Sequence, residues 1–196
     1  MCGRYYIDDS LAGFEALVEE LNREKPGGAP IKTGEIRPTD VAPVIANSRA
    51  RRQRPFLMRW GFGGAGRNAR PVINARSETA HEKPMFRDAM LDRRCLVPAS
   101  CYFEWQTQGK SRIKHAMKPD GPLVYMAGLY RLELGEPLAA FTILTQEADE
   151  RIAHIHDRMP VLLPAQWAGE WLSQTADAAA LLDRARGAVG VHACPM

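Results

Sequence analysis

No stretch of the 196 residues approaches the roughly 18 consecutive apolar positions that a membrane-spanning helix needs. The opening Met1-Cys2-Gly3-Arg4-Tyr5-Tyr6-Ile7-Asp8-Asp9-Ser10 carries acids where a secretory leader requires a basic and then an apolar run. A cytoplasmic chain with no membrane partner is therefore expected. Repeats, low-complexity runs and linkers long enough to divide domains are also missing, so one domain over residues 1–196 is the reading. Cysteine is sparse: Cys2, Cys95, Cys101 and Cys194 lack the paired spacing of a metal site, and a reducing compartment disfavours disulfides. Three of them read as small buried hydrophobes, and Cys2 stands apart by its position. His154 and His156 have no Cys or acid completing a metal set. No serine sits in a G-x-S-x-G elbow, so a serine hydrolase is unsupported. Neither a metal nor a cofactor is expected.

Acids are missing from one long segment. Between Asp40 and Glu78 there is none, while Arg49, Arg51, Arg52, Arg54, Arg59, Arg67, Arg70 and Arg76 give it a charge of +8. The whole chain is only +3, so everything else is net −5. A locally basic surface on an otherwise acidic protein suits phosphate binding, and a solvated loop and edge-strand face is the plainer alternative.

What is present is ordinary for a globular protein, with 45% apolar and 25% charged residues. Leu11, Phe14, Leu17, Val18 and Leu21 recur at helical spacing, with Asp9 or Ser10 as a cap and Pro26-Gly27-Gly28 as a stop. Strand-like segments follow at Val41–Ala46, Pro55–Phe62, Val72–Ala75, Cys95–Val97, Cys101–Trp105, Leu123–Tyr130, Leu138–Leu144 and Val161–Leu163. Helices are expected at Glu147–Ile155, Ala165–Ser173 and Asp177–Arg186. Many short strands with helices at the ends predict an α+β fold built on a curled, barrel-like mixed or antiparallel sheet with flanking helices. The run Gly61-Phe62-Gly63-Gly64-Ala65-Gly66 fits G-x-G-x-x-G, but Arg67-Asn68-Ala69-Arg70-Pro71 and a strand follow where a phosphate-binding helix should begin, which argues for a loop.

The start of the chain carries unusual chemistry. Removal of Met1 leaves Cys2 with a free α-amine and a thiol on adjacent carbons. An α-amine has a pKa of about 8 against about 10.4 for lysine, so its nucleophilic fraction near neutrality is roughly two orders of magnitude greater. It can condense with an aldehyde to a Schiff base, and the thiol can then close on the imine as a five-membered thiazolidine. A small residue in a frayed terminus is the plainer reading of Cys2. Three polar residues stand in apolar, strand-like surroundings. Asn74 follows a β-branched run, where an unpartnered amide is costly to bury. Glu104 is flanked by aromatics, where desolvation should raise its pKa into the range useful for proton transfer. His156 precedes a strand at a turn that could aim an imidazole into a cleft. A turn amide, an ion pair and a capping group are the respective structural alternatives.

Met-Cys-Gly-Arg at the start, Ile-Asn-Ala-Arg-x-Glu-Thr at Ile73–Thr79, Phe-Glu-Trp at Phe103–Trp105 and Ile-His-Asp-Arg-Met-Pro at Ile155–Pro160 together resemble the SOS-response-associated peptidase (SRAP) family. The resemblance spans nearly the whole chain. It implies a monomer that recognises abasic sites in single-stranded DNA and forms a thiazolidine cross-link through Cys2. It also implies self-processing peptidase activity that removes Met1, and so a hydrolase with lyase-like chemistry at abasic sites. By matching position, Cys2 is the nucleophile and Asn74 holds the Cys2 end and the sugar hydroxyls. Glu104 moves protons, and His156 assists sugar opening and reversal. Arg4 and Arg76 bind flanking phosphates, with Arg158 a further candidate.

Relatives usually show Trp-Gly-x-x-Pro-x-Trp. Here Trp60-Gly61 continues as Phe62-Gly63-Gly64-Ala65-Gly66, so Trp60 is the aromatic left to contact DNA. Two other classes remain open: a class II glutamine amidotransferase-like hydrolase, which also matures to Cys-Gly, and a basic module that binds nucleic acid without reacting.

Overall fold

A computed structural model gives the fold of residues 2–10, 12–24, 31–63, 70–121 and 123–196. Met1, Leu11, Pro26-Gly27-Gly28 and Gly64-Ala65-Gly66 with Arg67, Asn68 and Ala69 lie outside the described residues.

Two sheets carry the architecture. The smaller is antiparallel throughout and contains β1 (Tyr5–Ile7), β2 (Gly34–Ile36), β7 (Cys101–Gln108), β8 (Ser111–Pro119) and β13 (Val191–Pro195), in the order β13-β8-β7-β1-β2. The larger is mixed. It orders β11 (Arg158–Pro160), β10 (Ala140–Glu147), β4 (Gln53–Trp60), β3 (Val41–Asn47), β6 (Arg94–Ala99), β9 (Val124–Arg131) and β12 (Leu162–Leu163), with β5 (Asn74–Arg76) also on β10. Because β10 pairs with β9 as well, the strands run round a ring without closing a barrel. β4 meets β10 only at Ala140 and Phe141, after which β5 takes its place beside Ile143, Leu144 and Thr145.

Side-chain alternation divides the core between the two faces of this sheet. Cys95 and Val97 of β6, with Phe141 and Ile143 of β10, join Tyr5, Tyr102 and Met117 of the small sheet and Phe14, Leu17 and Leu21 of α1 (Ala12–Glu24). Leu96 and Leu144 face the other way. They pack with Met90 of α2 (Pro84–Asp92), Trp171 of α3 (Ala168–Leu172) and Leu181 of α4 (Ala178–Arg184). Asp177 caps α4 by accepting from the backbone N–H groups of Ala179 and Ala180 at 2.9 and 3.1 Å. No helix among the described residues is long and apolar enough to cross a membrane.

The expected helix over Glu147–Ile155 is absent. β10 runs on to Glu147, and residues 150–155 form turns. The break has a local cause: Asp149 uses both carboxylate oxygens on Arg151, and Oδ1 also takes the Arg151 backbone N–H. That local bonding favours a turn over helix propagation. Residues 165–172 divide into a 3-10 turn and the short α3. The sequence reading also misses β1, β2, β8, β11, β13 and α2. Among these, α2 buries only Ala89 and Met90 along its length, too few apolar positions to show a helical period.

Candidate functional site

Backbone register brings the start of the chain to Glu104. β1 pairs antiparallel with β7, Tyr5 opposite Tyr102, and the Phe103 N–H donates to the Arg4 carbonyl at 2.9 Å. Before Tyr5 the chain is outside the ladder, and the fully buried Cys2 lies close enough to Glu104 for that charge to act on its thiol. From the other side β5 delivers Asn74, whose Nδ2 donates to the Cys2 carbonyl at 2.8 Å. Asn74 Oδ1 is buried with no hydrogen-bond partner among the described residues, an acceptor left for something else.

Asn74 is placed by its neighbours. Gly61 adopts φ +113°, and a Cβ there would lie 2.7 Å from Pro71 Cβ, so only glycine lets residues 71–73 cross so close to the end of β4. Trp60 then donates its indole N–H to the Ile73 carbonyl at 3.0 Å. It lies parallel to Phe141 and meets Tyr5 edge-on with ring centres 5.1 Å apart. Fully buried, Trp60 ties β1 to the Asn74 segment. This corrects its assignment as a DNA-contacting residue, because no face of the ring reaches the surface. Phe62, also buried, bridges to Val72 where a dinucleotide-binding motif would start a helix.

Cys2 is buried. Its thiol donates to the Arg4 carbonyl at 3.6 Å. Burial, and after it the charge of Glu104, pushes the thiol pKa well above its ordinary value. The sulfur is therefore a neutral thiol at physiological pH. Glu104 is 3% exposed, and burial raises its pKa to about 7, so its carboxyl can give or take a proton near neutrality.

His156 sits between the turn and β11. Its Nδ1 accepts the Arg158 backbone N–H at 3.0 Å, and Asp157 Oδ1 lies 2.9 Å from the same nitrogen. A nitrogen that accepts from the backbone cannot also donate to a carboxylate, and burial lowers the imidazole pKa. The ring is therefore assigned as neutral with its proton on Nε2.

The three candidate arginines have different surroundings. Arg76 is exposed and, two residues from Asn74 on the same strand face, has no ion pair among the described residues. Arg4 is 37% exposed and bonds Glu35 at 2.9 Å. Arg158 is different, and its assignment to phosphate binding is corrected. Its guanidinium is 11% exposed, with two bonds of 2.8 Å to Glu78 and one of 2.7 Å to the Thr145 carbonyl, while its Nε is buried with no partner among the described residues.

The basic segment does not form one patch. Arg54 pairs with Glu20 and Arg59 with Glu133, while Arg49, Arg51 and Arg52 lie at the far end of the β3–β4 hairpin. Seven residues of strand put that end roughly 20 Å from Trp60. Outside that hairpin, Arg70 and Arg76 are the exposed arginines of the described part of the segment.

A second surface went unrecognised in the sequence. Trp105, half-buried on the strand face opposite to Glu104, lies under the guanidinium of Arg4 at 5.3 Å and is flanked by Arg112 at 5.9 Å and Lys114 at 5.8 Å. Glu35 orders this group by bonding Arg4, Arg37 and Lys114, and chiefly the Lys114 bond lowers its pKa to about 2. Strand alternation around Glu104 was the available signal: the residue after a buried catalytic candidate must face outward. Among the described residues no group of three or more His, Cys, Asp or Glu could hold a metal ion.

A family model described as SOS response associated peptidase (SRAP) matches residues 1–193. The abasic site processing protein YoqW of Bacillus subtilis (strain 168) is 32% identical over 184 residues, covering 88% of this chain and 80% of that protein. The abasic site processing protein YedK of Escherichia coli (strain K12) is 30% identical over 179 residues, covering 89% and 80%. A phage-related protein of Bordetella bronchiseptica has the same fold, with a TM-score of 0.77 at 22% identity over 100% of this chain and 94% of that one. With the family model extending over almost its entire length and relatives above 30% identity matching most of it, this chain belongs to the SRAP family.

Proposed function

We propose that this protein processes abasic sites in DNA, and that it captures them in single strands by a covalent thiazolidine link through Cys2. The observation that carries the reading is the convergence of a second-position cysteine, held by Asn74, with a buried carboxyl whose pKa lies near 7. The names of the relatives support the substrate class.

The reaction begins with hydrolysis of the Met1–Cys2 peptide bond by the chain itself, which frees the α-amine. The amine adds to C1′ of the ring-opened sugar, giving a carbinolamine. Glu104 donates a proton to the departing hydroxyl, water leaves, and a Schiff base forms. The Cys2 sulfur then adds to the imine carbon, its proton passing to Glu104 and the imine nitrogen taking one up. One water is lost overall and no oxidant is needed. The neutral thiol fits this order, since the amine must attack first. His156, neutral with Nε2–H, assists sugar opening and reversal. Asn74 Oδ1 is a ready acceptor for a sugar hydroxyl. Arg4 and Arg76 take flanking phosphates, and Trp105 with its cations offers a stacking surface for a base.

The test mixes purified protein with single-stranded DNA carrying one abasic site and resolves the products on a denaturing gel. A shifted band from the parent, absent in Cys2→Ser, is expected. Salt-sensitive association with no covalent band would instead leave a non-reactive binding module. Glutamine hydrolysis that depends on Cys2 would point to the amidotransferase reading.

A further inference from the structure

Behind Glu104 stands a group that the proposed chemistry does not use. His115 of β8 lies directly opposite Glu104 in the β7–β8 pairing, so the two side chains share one face with Cβ atoms about 5 Å apart. Both are buried, His115 at 6% exposure. The ring is fixed on one side only. Gln106 Oε1 stands 3.2 Å from His115 Nε2, and the amide is oriented by accepting from Gln108 Nε2 at 3.0 Å and by donating to the His154 carbonyl at 3.4 Å. Nε2 therefore carries a proton in the neutral ring. Nδ1, the remaining acceptor, is buried with no partner among the described residues. An orphan of this kind is costly to bury, and a phenylalanine would avoid it.

The same imidazole also borders open space. It lines a cavity of about 390 Å³ with Arg151, Ile152, His154, Ile155 and His192, between β8, β13 and the 150–155 turn. The charges facing that cavity are largely balanced: Arg151 pairs with Asp149, and His192 stands 2.9 Å from Asp120. On the Glu104 side two charges act on the carboxyl: that of the chain's amino terminus lowers its pKa and that of Asp157 raises it. Proton traffic is required here. An α-amine with a pKa of about 8 is mostly ammonium at pH 7, so ammonium, aldehyde and thiol combine to thiazolidine, water and one released proton. That proton is set free in a buried site.

We propose that His115 is a positioning residue that relays protons between Glu104 and this cavity. The Nδ1 lone pair takes the carboxyl proton, leaving Glu104 a carboxylate ready for the next transfer. The imidazolium then loses a proton to cavity water and returns to the neutral ring.

This inference rests on the proposed reaction of Cys2, and one experiment separates the two. Adduct formation on abasic single-stranded DNA is timed for the parent and for His115→Ala, with and without added imidazole. The parent's rate should be independent of imidazole. The variant should bind DNA as the parent does, form adduct on the order of tenfold more slowly, and recover as imidazole enters the emptied path. If the alanine variant fails to fold, His115→Ser, which leaves nearly the same space, takes its place in the same comparison. A variant as fast as the parent, or slow and indifferent to imidazole, overturns the relay and leaves the function standing. A parent that forms no Cys2-dependent adduct overturns the functional reading and the relay with it.

Discussion

Glu78 and Arg158 meet in a two-point ion pair, with both N–O distances at 2.8 Å. The pair locks the segment that bears Asn74 to the one that bears His156. Arg158 is thus a brace between two parts of the site, and its charge is spent inside the protein. Replacing Glu78 by Gln breaks one partner of a mostly buried pair and should destabilise the fold by about 2 kcal/mol, read by chemical denaturation. The bond to Arg158 holds the Glu78 pKa below its ordinary 4.5. Its contribution is therefore present above that value and lost as pH falls through the lower folded one. The stability gap between parent and variant should close in acid; a gap that persists unchanged contradicts the ion-pair account.

Arg76, by contrast, is exposed and available. Arg76→Ala should weaken binding to single-stranded DNA and reduce the slope of log affinity against log salt by about 0.7, with the fold intact. Fluorescence anisotropy at several salt concentrations measures this. An unchanged slope would remove Arg76 from the phosphate contacts.

Trp60 makes the opposite prediction. Its ring is wholly buried between Tyr5 and Phe141. Trp60→Ala should destabilise the fold by about 3–5 kcal/mol. A variant that melts normally yet loses DNA affinity would return Trp60 to the DNA-contacting set.

Glu104 sets stability against function. Its folded pKa of about 7 lies above the ordinary 4.5, so the folded state binds the proton more tightly than the unfolded chain does. The carboxyl therefore lowers stability progressively as pH rises from about 4.5 to 7, and the loss is complete above that. Glu104→Gln should stabilise the protein at pH 8 by on the order of 2 kcal/mol, leave it little changed at pH 4, and slow adduct formation at least tenfold. Thermal melts at the two pH values and a timed gel test both halves. A variant less stable at pH 8 contradicts the assignment.

How far these features could be read from the sequence depended on how local their causes are. Asn74, Glu104 and His156 stood out because each is a polar residue in an apolar strand context, and that contrast survives in one dimension. The curled sheet was likewise legible in the succession of short apolar runs. Trp60 was misplaced because an indole beside a glycine-rich loop looks the same whether it faces DNA or Phe141. Arg158 was misplaced because its partner Glu78 lies eighty positions away. β8 escaped notice since Arg112, Lys114, His115 and Lys118 interrupt its apolar alternation, and it is a strand through pairing with β7 and β13. The basic run looked like a surface, but a hairpin carries half of it away from the site.

The central claim is that the amine and sulfur of Cys2 together take up the sugar carbon. Mass spectrometry of the purified adduct, digested to its N-terminal peptide, tests it most directly. The account predicts a peptide beginning at Cys2, without Met1, carrying the sugar remnant with loss of one water. An adduct that still contains Met1, or that maps to a lysine, would contradict it.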